Sequence, residues 1–247
     1  MPKFCANLTM LFTEHGFLQR FGAARTAGFD AVEVLFPYDV AVPDMCDMLA
    51  RNDLALALIN CPPPNYTGRA RGFAAIEGSR FQQDFKRAAR YAKALGAQHL
   101  HIMAGIADGA GAKATFTDNL RWAAAQVPEQ SLTIEPINQD DMPGYFLSDF
   151  DLAAQIITEI DAPNLRLQFD AYHAQKITGD VLGTWARVRD LVAHVQVAQT
   201  PHRTAPDQSD IDYAAFFARL DADGYRGWVS GEYTPASDTA ASLGWIV

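Results

Sequence analysis

Short apolar runs alternate with longer amphipathic stretches from one end of the chain to the other. The runs are Phe4–Leu8, Ala31–Phe36, Leu54–Asn60, His99–Met103, Leu132–Glu135, Leu165–Asp170, Val192–Ala198 and Trp228–Tyr233. Each is short and mostly apolar, as expected of a parallel strand buried on both faces. Between them lie segments with helical spacing, among them FLQRFGAARTAG and FQQDFKRAARYAKALG. These two close on Gly28 and Gly96, the residue type usual just past a helix C-terminus. Ser148 is the expected N-cap of the helix SDFDLAAQIITEI.

Eight strands, seven intervening helices and room for a short eighth after Glu232 predict an α/β protein, a single-domain (β/α)8 TIM barrel over residues 1–247. An open doubly wound sheet shares the alternation. The barrel is preferred because the strand count reaches eight and no GxGxxG follows the first strand. No Pro/Gly/Ser-rich linker divides the chain, and no repeat of 20–50 residues is visible. The longest irregular stretch, Cys61–Gly78, follows the third strand, where a barrel carries its active-site loops, and is expected to form a substrate lid.

Composition narrows the partners. The chain has 49% hydrophobic and 20% charged residues, as a globular protein does, and a formal net charge of −9. An acidic surface repels phosphate backbones and anionic lipid, so neither nucleic acid nor membrane is expected as the main partner. A small anionic substrate stays compatible, because a few local cations can reverse the field inside a pocket. Cys5, Cys46 and Cys61 are few, odd in number and widely spaced, which reads as reduced packing residues. The opening MPKFCANLTMLF lacks an h-region followed by a small-residue cleavage site, and no segment reaches the ~18 uncharged apolar residues of a membrane span. A cytoplasmic protein is expected.

Candidate chemistry lies where an apolar run ends in a residue that resists burial. Strand 5 ends in Glu135, strand 6 in Asp170, strand 7 contains Gln196, and strand 8 carries Glu232. In a barrel these strand ends converge on one face. Three carboxylates and an amide oxygen from four neighbouring strands form an all-oxygen set, suited to a hard divalent cation such as Mg²⁺ or Mn²⁺. Singly, each has a plainer explanation as a helix cap, salt-bridge partner or core amide. Converging carboxylates without a cation would repel one another, and this favours metal binding. His173, three residues beyond Asp170, is placed to reach a substrate oxygen or to be a structural residue at a helix start. Arg203, after strand 7, and Arg71, after strand 3, are candidate anion contacts, although either alone could be a solvated surface charge.

At these residues the chain resembles the hydroxypyruvate isomerase family of the xylose-isomerase-like barrel superfamily, over essentially its whole length. The segments that carry the resemblance are FCANLTMLFTE, GFDAVEVLFPYD, HIMAG, IEPIN, FDAYHAQ, HVQVAQTPHR and GWVSGEYTP, specific through their order and spacing. The resemblance implies a metal held by Glu135, Asp170, Gln196 and Glu232, with Glu135 and Glu232 as the acid/base pair. It also implies substrate contact by His173 and, more loosely, by Arg203. In the related ketose 3-epimerases the strand 7 ligand is commonly His, whereas Gln196 looks like the hydroxy-acid branch.

The implied reaction is isomerisation of a small hydroxy-oxo acid, first hydroxypyruvate to tartronate semialdehyde, through an enediolate. A 2-oxo-tetronate isomerase is the neighbouring alternative, and a ketose 3-epimerase stands further off. A DNA-repair endonuclease would need several histidines for a multi-zinc cluster and a basic face, which six His and a charge of −9 do not supply. A non-catalytic sugar-acid sensor would not require both glutamates. By analogy with other barrels a homo-oligomer is expected.

Overall fold

The computed structural model describes residues 1–61, 71–207 and 209–246. Its eight strands are β1 (Lys3–Asn7), β2 (Ala31–Glu33), β3 (Ala55–Asn60), β4 (His99–His101), β5 (Ser131–Ile134), β6 (Leu165–Asp170), β7 (Val192–Val197) and β8 (Trp228–Gly231). They close into a parallel barrel in sequence order, β8 pairing back onto β1. The helices are α1 (Gln19–Thr26), α2 (Val42–Arg51), α3 (Phe81–Leu95), α4 (Gly109–Gln126), α5 (Phe150–Ile160), α6 (Ala171–Thr178), α7 (Val181–Val188) and α8 (Tyr213–Ala222).

Strand alternation shows how one sequence feeds two environments. In β6, Phe169 points outward and packs edge-on against Trp185 of α7 (5.4 Å between ring centroids), with Phe150 of α5 and Phe216 of α8 at 5.4 and 5.8 Å. Its neighbours Gln168 and Asp170 point the other way, into the barrel mouth, as a period of two requires. Truncating Phe169 to Ala would cost about 3–5 kcal/mol, because every element around it is already closely packed. That packing holds the polar ends of β6 in place.

Two local expectations need correcting. The β6–β7 crossover holds two helices, α6 and α7, where a single one was expected, because Gly179 (φ +71°) stops α6 and Asp180 caps α7 by accepting from Gly183 N at 2.8 Å. The cap of α5 is Asp149, whose carboxylate accepts from Leu152 N at 2.6 Å, while Ser148 Oγ accepts from Gln139 Nε2 at 3.0 Å. An Asp next to a free N–H and the positive helix end outcompetes the preceding hydroxyl. Past β8, the described residues hold a single 3-10 turn, Ala240–Ser242, in place of a full helix. Among the described residues no helix is long and apolar enough to cross a membrane.

Of the expected lid, residues 62–70 lie outside the described residues; 71–78 are described and return to the barrel beside β4. Gly72 takes φ +96°, and a Cβ there would run into the Met103 carbonyl, so only glycine allows the backbone this close. Ala75 N donates to Ala104 O at 2.8 Å just beyond. This anchor sets Arg71 at the mouth of the barrel.

Candidate active site

The C-terminal ends of the strands surround a cavity of about 440 Å³. Glu135 follows β5 directly, Asp170 ends β6, Gln196 lies in β7, and Glu232 follows β8. Asp170 and Gln196 are direct partners in the β6–β7 register. All four are buried.

Their oxygens meet in two pairs, each bridged by one nitrogen. Gln168 Nε2 donates to Gln196 Oε1 at 2.6 Å and to Glu135 Oε2 at 3.2 Å. Arg203 Nη2 donates to Asp170 Oδ2 and to Glu232 Oε1, both at 2.9 Å. The guanidinium is held from behind by Nε donating to the Glu232 carbonyl (3.0 Å) and lies over the Tyr172 ring, 4.9 Å from its centroid. Arg203 itself adopts φ +53°, which turns its side chain back into the mouth.

His173, in the first turn of α6, points at the same space. Its Nδ1 accepts from Asn138 Nδ2 at 2.7 Å and faces Asn138 N at 3.3 Å. Its Nε2 faces a donor as well, Arg203 Nη1 at 3.2 Å. Nε2 also lies 3.6 Å from Asp170 Oδ2 and 3.9 Å from Glu135 Oε1, so the ring faces the carboxylates of the site. Burial, then Arg203 and Lys176, push its pKa well down, and the ring stays neutral.

The carboxylates are under strain from one another. Burial first, then Asp170 and Glu232, raise Glu135 well above the usual range. Glu232 is pushed up to about 8 by burial, with Arg203 opposing the rise, and Asp170 is raised by burial in the same way. Arg203, in turn, is held fully charged by Glu232 and Asp170. Glu135, Asp170 and His173 form a buried group whose ligand atoms lie within 4.8 Å of one another and could hold a metal ion. The donor set suits one: oxygens from four strands converge, they carry more negative charge than one guanidinium neutralises, and N–H groups already bridge them as a cation would.

The matching family model is the xylose isomerase-like TIM barrel, over residues 21–247. The chain belongs to this family. It is 42% identical over 254 residues to the 2-oxo-tetronate isomerase of Cupriavidus necator, covering 100% of this chain and 98% of that one. It is 37% identical over 254 residues to the hydroxypyruvate isomerase of Escherichia coli, with the same coverage of 100% and 98%. A crystal structure from Brucella melitensis, described as an AP endonuclease of family 2, superposes with a TM-score of 0.96 at 38% identity, covering 99% of this chain and 98% of that chain. This xylose isomerase-like barrel is therefore an enzyme of the isomerase type.

Of the residues singled out in the sequence, Glu135, Asp170, Gln196, Glu232, His173 and Arg203 assemble around one cavity. Arg71 stands apart from them, exposed at the rim, though it lines the same cavity. Sequence reasoning missed Gln168, which shares the inward face of β6 with Asp170 two residues on and could have been found by that spacing. It also missed Glu33 and Asn138. Glu33 is an acid inside an otherwise apolar run, AVEVLF, and it is fully buried. Asn138 reaches His173 through a loop, and no spacing in the sequence signals that contact.

Proposed function

We propose that this chain is a divalent-metal-dependent isomerase of small hydroxy-oxo acids, with hydroxypyruvate to tartronate semialdehyde as the reference reaction. The observation that carries the reading is the pairwise convergence of Glu135 with Gln196 and of Asp170 with Glu232 on one cavity. These four residues would hold the ion, and an all-oxygen set selects a hard cation, Mg²⁺ or Mn²⁺. When bound, such an ion acidifies the C–H beside the substrate carbonyl and stabilises charge on the carbonyl oxygen.

The protein's own groups move the protons. Glu135 and Glu232 follow strands separated by β6 and β7, so they face a substrate from different sides. One removes a proton from the hydroxymethyl carbon, and the other gives a proton to the former keto carbon. A second proton passes from the original hydroxyl oxygen to the original keto oxygen, so the product is an isomer and no redox partner is needed. With Nδ1 held by Asn138, His173 steadies through Nε2 the oxygen that becomes negative in the enediolate, a contact that displaces Arg203 Nη1 from that nitrogen. Arg203 is committed to Asp170 and Glu232. Arg71 at the rim is the freer cation for the substrate carboxylate.

The 42% identity to a 2-oxo-tetronate isomerase favours a second reading with the same chemistry on a four-carbon acid. Turnover of metal-loaded and chelated protein on hydroxypyruvate and on a 2-oxo-tetronate separates the two. Metal-dependent conversion of either supports the reaction class. Equal activity with and without chelator would end the metal assignment, and inactivity on both acids would end the substrate class.

A further inference from the structure

Glu33 lies behind the site, at the end of β2, and does not line the cavity. It is fully buried, a costly position for a carboxylate with no chemistry to perform. We propose that Glu33 is a positioning residue that decides which end of the Gln196 amide faces the cavity. The inference rests on the reading of Gln196 as a metal ligand and extends it.

A hard cation binds an amide through oxygen alone, whereas the two ends of a glutamine amide are nearly the same size. The β7 backbone fixes where the side chain goes but not how its end is turned. Two neighbours break the tie. Gln196 Nε2 donates to Glu33 Oε1 at 2.7 Å, and Gln196 Oε1 accepts from Gln168 Nε2 at 2.6 Å. A flipped amide would set oxygen against carboxylate and nitrogen against nitrogen.

Glu33 is itself held so that it cannot turn away. Asn7 Nδ2 donates to its Oε1 at 2.6 Å from the paired strand β1, and His194 Nε2 lies 2.6 Å from its Oε2 across the barrel. His194 and Gln196 sit two apart in β7 and so share its inward face. Both residues that grip Gln196 stand at strand irregularities. The β2–β3 register shifts between Val32 and Glu33, and the β6–β7 register shifts between Leu167 and Gln168. Such bulges re-aim side chains beside functional sites.

The test is Mn²⁺ titration by calorimetry of the full-length wild type, Glu33→Gln and Gln196→Leu, with circular dichroism to check the fold. The titration is run at pH 8, where Glu33→Gln keeps the shape but replaces an ionised, acceptor-only group with one that can also donate. Its Mn²⁺ affinity should fall about 10- to 100-fold. In a Gln196→Glu background, where either end of the group presents oxygen, Glu33→Gln should cause no further loss. If Glu33→Gln does not fold, the equally short pair Glu33→Asp and Glu33→Asn repeats the comparison, and Asn should bind the more weakly by a similar factor. Wild-type affinity in Glu33→Gln, with binding lost in Gln196→Leu, overturns the positioning role and leaves Gln196 as a ligand. So does equal affinity in the Asp and Asn variants. Wild-type affinity in Gln196→Leu, or no Mn²⁺ binding by the wild type, overturns both.

Discussion

Replacing Arg203 with Met keeps the length of the stem and removes the cation between Asp170 and Glu232. The guanidinium Nη2 lies 2.9 Å from each carboxylate, and the three side chains are only 20%, 1% and 11% exposed for Arg203, Asp170 and Glu232. At an effective dielectric of about 20, each contact is worth about 6 kcal/mol before desolvation. Removing one partner of a buried pair costs about 3–5 kcal/mol net, since the carboxylates left behind can protonate. For a chain of this size that is a drop in Tm of about 6–20 °C. The assay is thermal unfolding in chelator, then with saturating Mg²⁺ or Mn²⁺. Added metal should stabilise Arg203→Met more than the wild type, because the ion then supplies charge that the guanidinium supplied. A variant that melts within about 2 °C of wild type in chelator would refute the bridging role. An equal metal-induced gain in both proteins would separate the ion's site from these two carboxylates.

Glu135→Gln and Glu232→Gln should each lower kcat by about 10²- to 10⁴-fold with the fold intact by circular dichroism, and full turnover in either would remove it from proton transfer. Arg71→Met should raise KM for an acid substrate about tenfold with kcat nearly unchanged, the signature of a group that binds ground and transition states alike; an unaltered KM sinks its anion role. Stability should depend on pH in two opposed ways. Burial pushes Glu33 up to about 7 and Glu232 up to about 8, so the native state keeps protons that the unfolded chain releases near pH 4.3, and stability falls as pH rises through that window. Burial pushes His99, His101 and His194 down to about 3, so stability also falls as pH drops below about 6.5, where the unfolded chain takes up protons. In chelator, Tm should therefore decline between about pH 6.5 and 8, and a divalent ion should flatten that decline. A Tm that climbs steadily to pH 8 in chelator contradicts the assignment.

The barrel was legible because a strand buried on both faces writes itself as a short apolar run, and eight such runs with helical spacing between them admit few other folds. The site was legible for the same reason. Glu135, Asp170, Gln196 and Glu232 stand out as polar residues at the ends of apolar runs, and parallel closure brings all such ends to one face. Where local competition decides, the sequence was less informative. Ser148 and Asp149 are both good caps, and which one takes the free N–H depends on the path of the entering chain. Gly179 and Asp180 split the β6–β7 crossover, although the apolar pattern runs on across them.

By itself the sequence determined the number and order of strands and the common face of the four oxygen-bearing side chains, since periodicity and strand direction are local properties. Only the tertiary structure decided how those side chains pair and what holds them. Gln168 joins Glu135 to Gln196, Arg203 joins Asp170 to Glu232, and Glu33 reaches from β2 to β7 across the barrel. The contact from Glu33 to Gln196 spans 163 positions of sequence. No spacing rule can encode such a contact, because it exists only once the barrel has closed.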